Sequence, residues 1–194
     1  MRKMAIALGG ALVLAGCRTT PTAPPPPPAP AVDPSNPLFA PGYMTQAASG
    51  DQFEIQSGQL AHQRTQNAAV HSFANMLVSD HTRMTQTMMS AAQSAGLTPP
   101  PPTLLPHHQA MLDQLRAAGA GPSFDMAFQQ AQVQAHTEAL TLHQNYATSG
   151  DNPALRTVAS QAVPVIQTHL QHAQMLNVAP PPAPPPIRRS GERG

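Results

Sequence analysis

The distribution of proline is the feature that most constrains how this chain can fold. Most of its 24 prolines fall into three clusters, at residues 21–41, 99–106 and 180–186. Because proline lacks a backbone donor and interrupts helices and central strands, the folded part must lie between the outer two clusters. The sequence therefore predicts one domain at 42–178, which is long enough to bury a single core. A disordered Pro-rich tether at 18–41 precedes it, and a disordered Pro-rich tail at 179–194 follows it.

Between the proline clusters, apolar residues recur with the period of an α-helix, and no segment shows the alternation of a strand. The pattern predicts an all-α domain of four long helices and one short connecting helix, at about 43–65, 68–95, 106–118, 122–149 and 152–178. Gly96 and the prolines that follow it end the second helix, and Gly150 ends the fourth. Only short turns separate the first two and the last two helices, so each pair should form an antiparallel hairpin. The passage over 96–121 is then left to cross from one end of the bundle to the other.

Each long helix carries an ionisable residue on the face that is expected to point into the bundle. His81 and His169 occupy positions in the apolar stripes of their helices, and Glu54 lies among small residues of the first helix. His136 belongs to a polar stripe of the fourth helix and lies within about one turn of the height of His169. At about 1.5 Å per residue, Glu54 and His81 also lie at one height. Since an unpaired charge is costly to bury, these groups should pair with each other, with water or with a metal ion.

Several short motifs follow one another along the domain. They are Gly50-Asp-Gln-Phe-Glu54, Ser72-Phe-Ala-Asn-Met76 followed by Ser79-Asp-His81, Ser123-Phe-Asp125, Gln132-Val-Gln-Ala-His136, and Val163-Pro164 leading to His169. Together these motifs resemble the exported bacterial family called domain of unknown function 4142, over about residues 42–178. The resemblance implies a ferritin-like four-helix bundle with a long crossover. It also implies that the family-type positions are Glu54, Asp80, His81, Asp125, His136 and His169.

Two interpretations of these inward residues stay open. In the first, carboxylate–imidazole hydrogen bonds satisfy one another and fix the register of the helices, which gives the domain a structural, stress-protective or general binding role. In the second, a carboxylate of Glu54 or Asp80 joins three imidazoles around one zinc, iron or copper ion. The imidazoles are those of His81, His136 and His169. His143 and Met84 are weaker candidates for the same site.

A ferritin-like metal-dependent oxidase is disfavoured by the pattern of glutamates. Di-iron centres of that type take a Glu-x-x-His motif from each of two helices, and this chain contains no such motif. Nucleophile elbows and phosphate-binding glycine loops are also missing from the sequence, so no catalytic residue is assigned and a non-enzymatic role is expected. A further metal hypothesis uses sulfur, because three His-x-x-Met pairs offer soft ligands for copper(I), beginning at His81, His108 and His172. The last two of these histidines are expected near surface edges.

The first 17 residues have the features of a lipoprotein signal peptide. A short basic region precedes the apolar run Met4–Leu14, which is shorter than the roughly 20 residues of a membrane span but suits a signal peptide. The run ends in Leu14-Ala15-Gly16-Cys17, which resembles the lipobox that directs acylation of the cysteine. The sequence therefore predicts an exported protein whose mature N-terminus is the acylated, membrane-anchored Cys17. Arg18, rather than aspartate, follows Cys17, and this favours the outer membrane, facing the periplasm.

The composition limits the other partners. Cys17 is the only cysteine, so no intramolecular disulfide is expected, although an exported protein is free to form one. The chain has 10 Lys and Arg against 9 Asp and Glu, and this balance gives no sign of a nucleic-acid partner.

Overall fold

The computed structural model describes residues 33–178, so Cys17, most of the predicted tether and the predicted tail lie outside the described residues. Five helices form within this range, α1 (Ala40–Arg64), α2 (Ala68–Ser94), α3 (Pro106–Ala117), α4 (Pro122–Ser149) and α5 (Pro153–Met175). No strand occurs among the described residues, and the all-α prediction is confirmed. In the same range, none of the helices is both long and apolar enough to cross a bilayer.

Local signals explain where the helices begin. Proline in the first two positions starts four of them, since its fixed φ suits a helix and its missing N–H would have no partner there. Asn67 caps α2 by accepting backbone N–H bonds from the first turn. Residues 33–39, which the sequence assigns to an extended tether, instead form two turns. A bond of 3.1 Å from Asp151 N to Leu38 O holds them against the bundle.

The four long helices form a closed bundle in which each packs against two neighbours, in the order α1, α2, α5, α4. Gly121 N donates to Arg64 O at 2.7 Å, so α4 begins where α1 ends. At the opposite end Ala40 N donates to Asp151 Oδ1 at 2.9 Å, so α1 begins where α4 ends. All neighbouring helices are therefore antiparallel, and the segment between α2 and α4 runs the length of the bundle. Within that segment α3 packs on α1 and α4, which agrees with the predicted long crossover.

The apolar core consists of two clusters separated along the bundle. One cluster, near the α1–α2 turn, is built around Phe53, Phe73 and Phe128 and is covered by α3. The other cluster, near the α4–α5 turn, is built around Tyr43 and Leu155. Burying one large apolar side chain stabilises the fold by about 1.5–3 kcal/mol, so the clusters hold the four helices together near both ends of the bundle. They thereby fix the relative heights of the residues that lie between them.

Candidate metal centre

Between the two apolar clusters lies a layer of buried polar side chains, to which every long helix contributes. At its centre the imidazoles of His81 (α2), His136 (α4) and His169 (α5) meet, and these three residues are termed the histidine triad. Their ring centroids lie 5.4–5.6 Å apart, and none of the three residues is more than 2% exposed. One nitrogen from each ring lies within 4.8 Å of the other two. The rings meet because each residue continues an inward stripe of its helix, at a height that the apolar clusters fix.

The outer nitrogen of each triad histidine is held in place by a hydrogen bond. The bonds run from His81 Nδ1 to Asp51 Oδ1 at 2.8 Å, from His169 Nε2 to Asp80 Oδ2 at 3.0 Å, and from His136 Nδ1 to Gln132 O at 2.8 Å. A backbone carbonyl only accepts, so His136 Nδ1 donates and carries the proton, and His81 and His169 donate in the same way when their aspartate partners are ionised. These bonds therefore fix both the tautomer and the orientation of the three rings.

The inner nitrogens, His81 Nε2, His136 Nε2 and His169 Nδ1, have no hydrogen-bond partner within the described residues. Burial lowers the pKa of His81 to about 3 and the pKa of His136 well below its usual range, and neighbouring imidazoles add to both shifts. Burial also lowers the pKa of His169. The rings are therefore neutral at pH 7, and a ring whose outer nitrogen holds the proton presents a lone pair at its inner nitrogen. Metal-ligating histidines have this arrangement, with the outer nitrogen bonded to a carboxylate or a carbonyl.

Two buried carboxyl groups of α1 line the same layer. Asp51, which bonds His81 through Oδ1, accepts a second bond from Thr85 Oγ1 at 2.7 Å. Burial raises the pKa of Asp51 to about 7, and the bond from Thr85 partly offsets that rise. Glu54 Oε1 lies 3.6 Å from His136 Nδ1, and burial raises the pKa of Glu54 well above its usual range. Glu54 thus holds its proton to higher pH than an exposed glutamate, whereas Asp51 lies close to its pKa near pH 7 and ionises readily when a cation enters beside it.

Two residues that the sequence groups with the triad lie elsewhere along α4. Asp125 is buried, but it precedes His136 by eleven residues, which separates them by about 16 Å along the helix axis. His143 lies about two turns beyond His136 on the other side, where its Nδ1 and the Tyr43 hydroxyl are 3.0 Å apart. The polar stripe of α4 is longer than the polar layer is thick, so only its central histidine reaches the triad.

The crossover helix changes the surroundings of the other predicted candidates. His108, expected near a surface edge, is only 6% exposed, because α3 packs on α1 and places its ring 5.8 Å from that of Phe53. Its Nδ1 lies 2.7 Å from Ser49 Oγ. Met84 is half-buried beside the layer and lines a cavity of about 370 Å³. His172 is exposed, as expected, so the three His-x-x-Met pairs do not converge on one site.

Two contributors to the layer were missed by the sequence analysis. Asp51 precedes Glu54 by three positions and therefore shares its face of α1, so the same helical spacing that placed Glu54 inside also indicates Asp51. Gln132 acts through its backbone carbonyl towards His136. Because this contact uses a backbone atom, the pattern of side chains in the sequence could not predict it.

Comparisons with known proteins agree with the fold. The family model described as Domain of unknown function (DUF4142) matches residues 23–176. Among solved structures, the chain is similar to "CopM in the Cu(II)-bound form", with 18% sequence identity and a TM-score of 0.60. The match covers 71% of this chain and 94% of that one, and at this identity it shows the fold alone. No protein with curated annotation matches the chain.

Proposed function

This chain belongs to the DUF4142 family, and we propose that its helical domain binds one copper(II) ion between the inner nitrogens of the histidine triad. One observation carries the proposal. Three neutral, buried imidazoles each have one nitrogen without a hydrogen-bond partner among the described residues, and one nitrogen from each ring lies within 4.8 Å of the other two. Their outer nitrogens are already fixed by hydrogen bonds, so the rings need no reorganisation of their tautomers to receive a cation.

The alternative of a self-sufficient polar core fits this geometry less well. The three inner nitrogens are all acceptors, so they cannot bond to one another. Waters or neighbouring donors would have to satisfy these nitrogens separately, whereas one cation would bind all three lone pairs at once. Each buried polar atom without a partner costs about 1–3 kcal/mol, and such groups in a folded protein call for an explanation of this kind.

The choice of copper follows from the ligands. Neutral imidazole suits zinc, copper, iron and nickel, and among divalent first-row ions copper binds a given nitrogen site most tightly. Three histidines also leave a position open for water or another ligand. The solved structure of similar fold is named as a Cu(II)-bound form, which supports copper over zinc as the first ion to test.

A location for this activity is proposed from the sequence. Acylation of Cys17 in the Leu14–Cys17 lipobox would tether the domain to the outer membrane, facing the periplasm. Binding of copper there would keep the free ion away from other envelope proteins, which is a stress-protective role.

The test is the copper content of the untagged chain carrying Cys17→Ser, purified without chelator and titrated with copper(II). We expect about one tightly bound ion per chain, with nitrogen hyperfine couplings from three imidazoles in its electron paramagnetic resonance spectrum. His136→Leu should abolish the tight site. The matched control is His172→Leu, which changes an exposed histidine of α5 and should retain the tight copper site. Tight binding of zinc but not copper would replace copper in the proposal, and tight binding that survives His136→Leu would refute the triad as the site.

A further inference from the structure

A second group of metal-capable side chains lies outside the triad, where the crossover meets the bundle. His107 and His108 lie in the first turn of α3, and Glu138 lies on α4. One ligand atom from each lies within 4.8 Å of the other two. His107 and Glu138 are exposed, whereas His108 is buried. Because α3 packs on both α1 and α4, the crossover helix creates this group.

The second group and the triad line the same crevice. A cavity of about 90 Å³ is bordered by His107, His108 and Glu138, and also by Glu54, His81 and His136. At about 30 Å³ for each water molecule, this volume holds roughly three waters, or a cation that has lost part of its hydration shell. The crevice therefore connects two exposed ligands with two of the three buried triad histidines.

The side chains of this group are arranged to receive a cation. The bond between His108 Nδ1 and Ser49 Oγ orients the ring, and the α1 backbone at Gly50 packs along its edge, where a Cβ would lie 3.7 Å from His108 Cε1. Ser49 Oγ also accepts from Leu105 N at 2.7 Å, and in the His108 tautomer whose Nδ1 donates to the same oxygen, Nε2 presents its lone pair to a cation. Gln134 Nε2 donates to Glu138 Oε1 at 3.0 Å, which leaves Oε2 available, and the carboxylate places a negative charge beside the crevice.

We propose that His107, His108 and Glu138 form an entry site that captures a copper(II) ion from solvent and passes it through the crevice to the histidine triad. This inference rests on the proposed function. Transfer is a ligand exchange with no change of oxidation state, in which imidazole and carboxylate ligands of the entry site are replaced by triad imidazoles. The entry site binds more weakly than the triad, because two of its three ligands are exposed to solvent.

The test compares equilibrium binding with loading rate in the full chain carrying Cys17→Ser. The double variant His107→Ala/Glu138→Ala removes two exposed side chains, and a circular dichroism spectrum identical to that of the parent checks the fold. Stopped-flow mixing with copper(II) measures loading of the triad, and titration against a competing chelator measures the final occupancy. The matched control is His62→Ala/His71→Ala, which removes another imidazole pair, whose Nδ1 atoms lie 2.9 Å apart beside the α1–α2 turn.

We expect the entry-site variant to reach the same tight occupancy as the parent but to load on the order of tenfold more slowly, the lower end of what charge-focused clefts contribute to association rates. The control variant should load at the parent rate. In a His136→Leu background, weak copper binding should remain and should disappear when His107→Ala/Glu138→Ala is added. Loading of the entry-site variant at the parent rate overturns this inference while leaving the triad intact. If the parent itself has no tight site and equals His136→Leu, the proposed function fails instead.

Discussion

Replacement of His136 by leucine separates a metal site from a structural polar core, because the two accounts give different results with and without copper. His136→Leu removes the bond to Gln132 O, which is worth about 0.5–1.5 kcal/mol. The carbonyl keeps its helical partner, so it is not stranded. The change also removes the unpartnered Nε2, whose burial costs about 1–3 kcal/mol. Repacking around a side chain of similar size costs less than about 1.5 kcal/mol.

These contributions offset one another, so the metal-free variant should unfold with a free energy within about 2 kcal/mol of the parent. With copper the two proteins should differ. At a free concentration about a thousandfold above Kd, binding stabilises the parent by about 4 kcal/mol, which raises Tm by about 8–16 °C for a domain of this size. The variant should gain nothing.

Thermal unfolding followed by circular dichroism, with and without copper, measures both quantities. The exposed His172→Leu variant serves as the control and should behave as the parent does. The reasoning is refuted if His136→Leu costs more than about 3 kcal/mol without copper while copper shifts the Tm of neither protein. That result would identify the layer as a structural network.

Three further outcomes are expected. Acidification from pH 7 to 5 should destabilise the metal-free protein, since burial lowers the pKa of five histidines below about 6.5 in the folded state, so the unfolded chain takes up more of the protons as the pH falls. Asp51 and Glu54, with raised pKa values, act in the opposite direction but are too few to offset them, so equal or greater stability at pH 5 in urea unfolding would contradict the burial described. Asp80→Asn should weaken copper binding by about 10–100-fold in a chelator competition. The control is Asp113→Asn, because Asp113 also pairs with an arginine three residues later, and this change should leave the affinity unchanged. Equal affinities for the two variants would show that Asp80 does not support His169. Cys17→Ser should move the protein from the membrane fraction to the soluble periplasm, and unchanged fractionation with no lipid mass on the mature N-terminus would end the lipoprotein proposal.

The fold was accessible from the sequence because local signals and helical periodicity agree. Gly96, Gly150 and the prolines mark helix ends, and the short turns within each hairpin leave the 96–121 passage as the long crossover. His81 and His169 were recognisable as inward residues because each replaces an apolar residue in a regular stripe. The fixed rise of an α-helix predicted a common height for Glu54 and His81, and heights within about one turn for His136 and His169.

The features that could not be predicted from the sequence depend on contacts between helices that are distant in the chain. The burial of His108 follows from the packing of α3 on α1, which no local pattern specifies. Asp125 and His136 share a stripe, but only the thickness of the polar layer decides which of them reaches the triad. The inward nitrogen also varies, because His169 presents Nδ1 and the other two histidines present Nε2. That choice depends on where each outer acceptor lies in the folded bundle.

The central claim is tested most directly by the anomalous scattering of copper in crystals of the copper-loaded chain. If the triad binds copper, one strong peak should lie inside the bundle, about 2 Å from His81 Nε2, His136 Nε2 and His169 Nδ1. Peaks confined to surface histidines, with no copper between the three buried rings, would contradict it.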